Sequence, residues 1–291
     1  MNTRPDPVDD ILAKHGASGP WEPLQATGVA NRIYATEDVI LRIATDHPEG
    51  VCDARTESVA APVAHAAGVM TPRLLAFDDS RILVDSPFSL WERVHGETLG
   101  LLSRDPNAMS NTWRAVGQQL FVLHSRVREC SDPNGYLDTD ERNLDLDVLL
   151  DELVALRRVN TTSAREIGLL IEELRPRIDA QVEPRFCHND LHDMNIMCTH
   201  GDSLLAIIDW GDAGWADPTS DFFGIPLAAV PLVMAGYGDE MSGLLGDSPE
   251  ARIAWDKLGG SMEECRDNPT HSISLPFHQL RAFALSGNYR W

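Results

Sequence analysis

The spacing of hydrophobic positions changes near Glu92. Before it, short apolar runs alternate with turn-forming clusters; after it, apolar residues recur every three or four positions. Residues 28–35 (GVANRIYA) and 39–44 (VILRIA), joined at Glu37-Asp38, predict two strands. The alanine-rich stretch 51–67, ending at Gly68, predicts a helix. Residues 70–77 and 81–84 predict further strands. Beyond Glu92, Trp113, Val116, Leu120 and Leu123 share one helical face, with Ser110 or Asn111 as the cap. Leu146, Leu149, Leu150, Leu153 and Leu156 form a second stripe, which reads as core. Ser163-Ala-Arg-Glu166 has the form of a capping box and opens a helix through about Ile178, with Pro176 straining its end. Residues 222–245 and 274–286 predict the last helices.

One stretch breaks the helical rhythm. Residues 195–198 and 204–209 are apolar runs of strand length around Thr-His-Gly-Asp-Ser, which predicts a β-hairpin with a five-residue loop. Antiparallel strands bring Asn195 and Asp209 to the same open end, and Asp190 stands on the loop entering it. An amide and a carboxylate are hard oxygen donors, which suits Mg²⁺. A second carboxylate beside them can receive a hydroxyl proton, and phosphoryl transfer needs that whole set. A surface hairpin with polar flanks accounts for Asn195 or Asp209 alone, but not for all three.

The loop reads H-N-D-L-H-D-M-N over 188–195, and the following segment reads I-D-W-G-D-A-G-W-A-D-P-T-S-D over 208–221. This pair of motifs resembles the aminoglycoside phosphotransferase family, which also takes in choline-kinase-like and other small-molecule kinases on a protein-kinase-like fold. The resemblance implies Asp190 as catalytic base, His192 in the place of a phosphate-contacting lysine, Asn195 and Asp209 as Mg²⁺ ligands, and Asp221 as a brace for the loop. Asn189 departs from the family's usual glycine. His188 reads either as a phosphate contact or as a buried histidine that shapes the loop. A zinc site from His188 and His192 with Cys187 and Cys198 nearby fits poorly, because zinc-protease histidines sit on a helix with a glutamate between them.

The same resemblance implies an ATP (or GTP) site upstream. A loop near Gly28 and Asn31 would lie over phosphates, although one glycine is far from a glycine-rich motif. Arg42 stands where a kinase carries its phosphate-gripping lysine, and Glu57 on the helix would orient it or be an ordinary solvated charge. Arginine grips phosphate bidentately but is bulkier than lysine. Residues 90–99 (LWERVHGETL) resemble the family's hinge, which implies that adenine pairs with the Glu92 carbonyl and the Val94 amide. His124, in an L-H pair at the end of its helix, reads as structural. The fold class expected is α+β and bilobal: residues 1–93 as a small antiparallel β lobe with one helix, 94–291 as a larger helical lobe.

Composition narrows the partners. A formal charge of −21 opposes nucleic-acid binding, whose affinity comes from cationic contacts to phosphate. It would draw a cationic acceptor into a cleft, or reflect only solubility or a salty habitat. Five scattered cysteines form no C-x-x-C, the N-terminus has no signal-peptide pattern, and no apolar run approaches about eighteen residues. A cytoplasmic monomer or homodimer with no membrane contact is expected. The acceptor stays open. Asp138, Asp140, Glu141, Asp145, Asp147 and Asp151, or Glu263 and Glu264, would suit an aminoglycoside; Trp255, Phe277 and Trp291 would suit a macrolide. A choline, sugar or homoserine kinase keeps the same core residues, and a non-catalytic nucleotide-binding protein is the alternative of another class.

Overall fold

A computed structural model describes residues 7–24, 29–137, 145–178, 182–238, 241–268, 270 and 277–286. Gly28, Asp138, Asp140, Glu141 and Trp291 lie outside them. The chain begins with α1 (Val8–Lys14), β1 (Glu22–Leu24), β2 (Asn31–Ala35), β3 (Val39–Ala44), α2 (Pro48–Ala67), β4 (Leu74–Asp78) and β5 (Phe88–Glu92). These strands form one antiparallel sheet in the order β1-β2-β3-β5-β4. There follow β6 (Glu97–Thr98), α3 (Leu99–Leu102), α4 (Ser110–Arg126), α5 (Leu146–Ala155), α6 (Thr161–Ile178), β7 (Arg185–Cys187), β8 (Ile196–Thr199), β9 (Ser203–Ile207) and β10 (Gly214–Ala216). Helices α7 (Val230–Tyr237), α8 (Met241–Leu245), α9 (Pro249–Asp267) and α10 (Phe277–Ser286) complete it. The architecture is α+β: an antiparallel sheet region and a helical region that carries the hairpin.

Alternation decides what the five-stranded sheet offers on each face. Val39, Leu41 and Ile43 of β3 bury against Val8, Ile11 and Leu12 of α1 and against Phe88 and Leu90 of β5. Because side chains alternate along a strand, Ile40, Arg42 and Trp91 are left for the other face. Helix α2 ends as expected at Gly68, left-handed at φ +93°. Its inward face is almost all alanine, with Glu57 the charged exception at 2 % exposure.

Several sequence expectations need correction. Residues 81–84 form no strand; Arg81 has φ +59° and Ile82 is exposed, while the strand that pairs with β4 is β5, which runs into the start of the expected hinge. Among the described residues, the part before β5 holds α1 as well as α2, two helices rather than the one expected. Helix α4 begins at Ser110, but neither Ser110 nor Asn111 caps it. Instead Asp202 from the hairpin loop accepts the amides of Asn111 (3.0 Å) and Thr112 (2.8 Å), a long-range cap. Helix α6 starts before Ser163, whose amide is taken by Asn160 Oδ1 at 2.9 Å, so Ser163 and Glu166 form no capping box. Leu156 is exposed beyond the end of α5, unlike the buried Leu146, Leu149 and Leu153. Periodicity passed over α9 although it runs nineteen residues, because apolar, small and charged residues are mixed round it. Trp255 on this helix joins the core and packs under the Arg175 guanidinium. Among the described residues, no helix is long and apolar enough to cross a membrane.

Candidate active site

The hairpin forms as β8 and β9, with a three-residue loop rather than five because Thr199 pairs with Ser203. Strand β6 joins its other edge, and Ile208 N–H donates to Asn195 O at 3.0 Å, closing the open end. Asn195 and Asp209 are thereby held one residue apart across the ladder. Strand β7 leads into the loop and pairs with β10 within the second motif, a pairing that three-residue strands are too short to announce.

The loop from His188 to Asn195 is held by buried hydrogen-bonded groups, with His188 Nδ1 the buried atom that lacks a partner among the described residues. Asn189 has φ +64°, a left-handed conformation that glycine or asparagine tolerates best. Its departure from the family glycine is thus explained, and its side chain is used: Nδ2 donates to Asp212 O (3.0 Å) and Oδ1 accepts from Ser220 Oγ (2.7 Å). Its amide donates to Asp221 Oδ1 at 2.7 Å. Asp221 is wholly buried and its Oδ2 accepts from His124 Nε2 at 2.9 Å, with His124 Nδ1 2.9 Å from the Tyr237 hydroxyl. Burial, with the Asp221 charge added, pushes the Tyr237 phenol up, so it stays a donor. His188 is buried, its Nε2 donates to Ile208 O at 2.9 Å, and its ring lies 4.6 Å from that of Trp210. This rules out the phosphate-contact reading of His188. Cys187 groups with His124 and Asp221, not with His188, His192 and Cys198, so the ligand set of the zinc reading does not assemble.

Asp190 and His192 are partly exposed, in contrast. Asn195 Nδ2 donates to Asp190 O (2.8 Å) and Asp190 Oδ2 (3.2 Å), which leaves Asn195 Oδ1 as the atom for a cation. His192 Nδ1 accepts the Met194 amide, and its Nε2 lies 3.5 Å from Asp190 Oδ2. That hydrogen bond to Asp190 raises the imidazole above its ordinary range, against the effect of burial.

Asp209 follows β9 at φ +67° and meets Arg42 from the far sheet. Arg42 Nη2 donates to Asp209 Oδ1 (2.9 Å) and Nη1 to Glu57 Oε1 (2.5 Å). Glu57 is therefore the partner of Arg42 and not a solvated helix charge. Two carboxylates share one guanidinium, and they titrate apart. Burial pushes Glu57 up to about 8, against the pull of Arg42. Burial pushes Asp209 up too, but Arg42 and a hydrogen bond from Glu57 overcome it and hold Asp209 at about 2. Asp209 thus stays ionised, as a cation ligand must. Arg42 Nε is buried with no partner, a donor left for an incoming oxygen. Asn195, ionised Asp209 and this orphaned donor together fit a Mg²⁺-bound triphosphate. Sequence reasoning missed Asp53, one turn before Glu57 on the same face; burial, then Asp212, pushes its carboxyl up to about 6.

A cleft of about 630 Å³ connects these groups to the hinge. Ile33, Ile40, Trp91, Met197 and Ile208 wall it, and Arg42, Glu57, Glu92, Val94, His192, Asn195 and Asp209 all border it. Asn31, opposite Ala44 at the start of β2, lies outside the lining. Two hinge amides are already committed: Glu92 N–H to Arg73 O (3.0 Å) and Arg93 N–H to Asp38 O (2.8 Å). Val94 N–H has no backbone partner among the described residues, and Val94 lines the cleft. Its walls were readable as period-two positions of strands, but not as walls of one space.

Of the acidic residues weighed for an acceptor, Asp147 pairs with Arg175, and Glu263 lies 3.7 Å from Arg266, so both are partly neutralised at the surface. A search of the curated proteins found no match. Solved structures do match along nearly the whole chain. A choline/ethanolamine kinase family protein from Mesorhizobium loti is 19 % identical, with 95 % of this chain and 98 % of that one covered and a TM-score of 0.57. APH(2″)-IIIa, solved with GDP and kanamycin, is 17 % identical with 97 % and 99 % covered and a TM-score of 0.62. Spectinomycin phosphotransferase APH(9)-Ia, solved with ADP and spectinomycin, is 12 % identical with 97 % and 94 % covered and a TM-score of 0.61. At these identities they establish the fold. The family model of the phosphotransferase enzyme family (APH) matches residues 23–242, most of the chain, and the protein therefore belongs to that family.

Proposed function

We propose that this protein transfers the γ-phosphate of ATP, or GTP, to a hydroxyl group of a small molecule, an aminoglycoside-type antibiotic foremost, and so confers resistance. The observation that carries the reading is that Asn195, Asp209 and Arg42 line one hinge-bounded cleft, with Asp190 outside its lining but hydrogen-bonded to Asn195. The base would pair with Glu92 O and Val94 N–H, between the apolar walls. Arg42, oriented by Glu57, would present its free Nε to a phosphate oxygen. Asn195 Oδ1 and Asp209 would hold Mg²⁺, which supplies charge neutralisation and alignment of the phosphates. Asp190, fixed through Oδ2 by Asn195, orients the acceptor hydroxyl and receives its proton. His192, kept more cationic by Asp190, adds positive charge beside the moving phosphoryl group.

Kanamycin and spectinomycin in the complexes of similar fold, together with the −21 charge, support a cationic acceptor. Likeness to a choline/ethanolamine kinase family protein supports the second reading, a metabolic kinase for choline or a related alcohol. Lobes meeting at Arg93-Val94, and a reducing cytoplasm that keeps all five thiols free, complete the proposal. The test is ATP and GTP consumption with Mg²⁺ across aminoglycosides, macrolides, choline and sugars, beside thermal shifts with the same compounds. Acceptor-dependent turnover with an aminoglycoside supports the first reading and turnover with choline alone the second. Nucleotide binding without turnover on any acceptor rejects both.

A further inference from the structure

Helix α9 packs against the segment that follows the second motif and carries two buried cations. Arg252 is matched by a carboxylate, its Nε donating to Asp217 Oδ2 at 2.7 Å. Lys257, one of only two lysines in the chain, is 8 % exposed, and no carboxylate pairs with it among the described residues. Its Nζ donates to two main-chain carbonyls instead, Phe223 O at 2.8 Å and Ile225 O at 2.5 Å. Burying an ammonium group without an ion-pair partner is costly, and burial lowers this amine to about 7, against the smaller upward effect of the neighbouring Asp256 carboxylate. A methionine or leucine would fill the space without that cost but would not bond the two carbonyls.

Those carbonyls flank Gly224, which lies hard against the catalytic loop. A Cβ built on Gly224 would stand 2.7 Å from Leu191 O and 2.9 Å from His192 Cβ. Leu191 and His192 are the residues that follow Asp190. On the other side, Gly260, one helical turn after Lys257, makes room for the Phe223 ring, since a Cβ there would lie 2.4 Å from Phe223 Cζ. The segment 223–225 is thus gripped by α9 through a ring and two carbonyls, and it presses its bare backbone on the loop.

We infer that Lys257 is a positioning residue for phosphoryl transfer: by pinning 223–225 against Leu191 it sets where Asp190 stands. The inference rests on the reading of Asp190 as base, and its action is through the loop, not on the substrate. The experiment compares Lys257→Met, Gly224→Ala and the double variant in the full chain. The readouts are steady-state kinetics and hydrogen exchange of the amides from 189 to 195.

Lys257→Met is expected to lower kcat roughly ten- to hundredfold, the scale of a small displacement at a reacting centre. KM for the nucleotide should stay within about twofold, since Arg42 and the hinge are untouched. Exchange in 189–195 should quicken in both single variants. The double variant should lose no more than the worse single one, because both break one mechanical path. Multiplicative losses, or a lowered melting temperature with kcat and loop exchange unchanged, overturn the inference and leave Lys257 as a helix anchor only. If Lys257→Met does not fold, Lys257→Gln, which keeps a donor, and Gly224→Ala carry the same comparison. If the wild type phosphorylates none of the acceptors, the functional reading fails by itself. Loop exchange still decides for or against Lys257.

Discussion

The two sides of the cleft are built in opposite ways. On the catalytic-loop side, Asp221, His124, Tyr237 and Asn189 form a buried network in which each named group has a partner. On the sheet side, Arg42 is shared by two carboxylates, its Nε has no partner, and Asp53 and Glu57 are pushed toward their protonated forms. A satisfied network resists change and fixes geometry; an unsatisfied one is completed by a ligand. The loop thus acts as scaffold, and the Arg42 end as the part that waits for phosphate and cation.

The sharpest break of this contrast is at the exposed carboxylate that the scaffold holds. Asp190→Ala should reduce turnover by about 10²–10⁴, the usual worth of a general base, while the nucleotide's thermal shift is retained; kinetics and melting measured side by side check it. Asp209→Ala should abolish the Mg²⁺-dependent part of that thermal shift, worth about 2.7 kcal/mol at a hundredfold excess over Kd. An unchanged shift would argue against Asp209 as a ligand. Asp221→Ala leaves His124 and the Asn189 amide unsatisfied, and should cost about 2–4 kcal/mol in denaturant melts, with turnover falling alongside. Asn189→Ala should lose about 1–2 kcal/mol to its left-handed backbone, and Asn189→Gly much less; equal losses would shift the weight to the side-chain bonds.

The smallest effect concerns pH. Asp53 rises from 3.8 to about 6 on folding, so the folded chain binds more protons across that window and its stability falls as pH rises through it. Asp53→Asn should then raise the melting temperature at pH 7, with the gain shrinking toward pH 4. A gain that grows in acid would reverse the assignment.

Local patterns were readable where local physics decides. The helix ending at Gly68 needs only a residue that accepts positive φ, and β3 needs only alternation. Asp190, Asn195 and Asp209 were readable together because a hairpin converts their spacing into proximity. Caps and edges were not. Asp202 caps α4 from about ninety residues away, and Arg81, read as strand, is left-handed instead. Glu57 could be read as the partner of Arg42 or as a solvated charge, and its burial against Arg42 decides for the first.

What the order of residues determined by itself was therefore the set of chemical groups and their pairing within single elements. Tertiary structure decided how those groups are charged and held. Arg42 and Asp209 stand 167 positions apart, His124 and Asp221 97, and Lys257 and Phe223 34. Each contact exists only because separate elements pack and exclude water. Burial strengthens a charge or an unmet hydrogen bond many-fold over its value in solvent, and no stretch of chain carries that information alone.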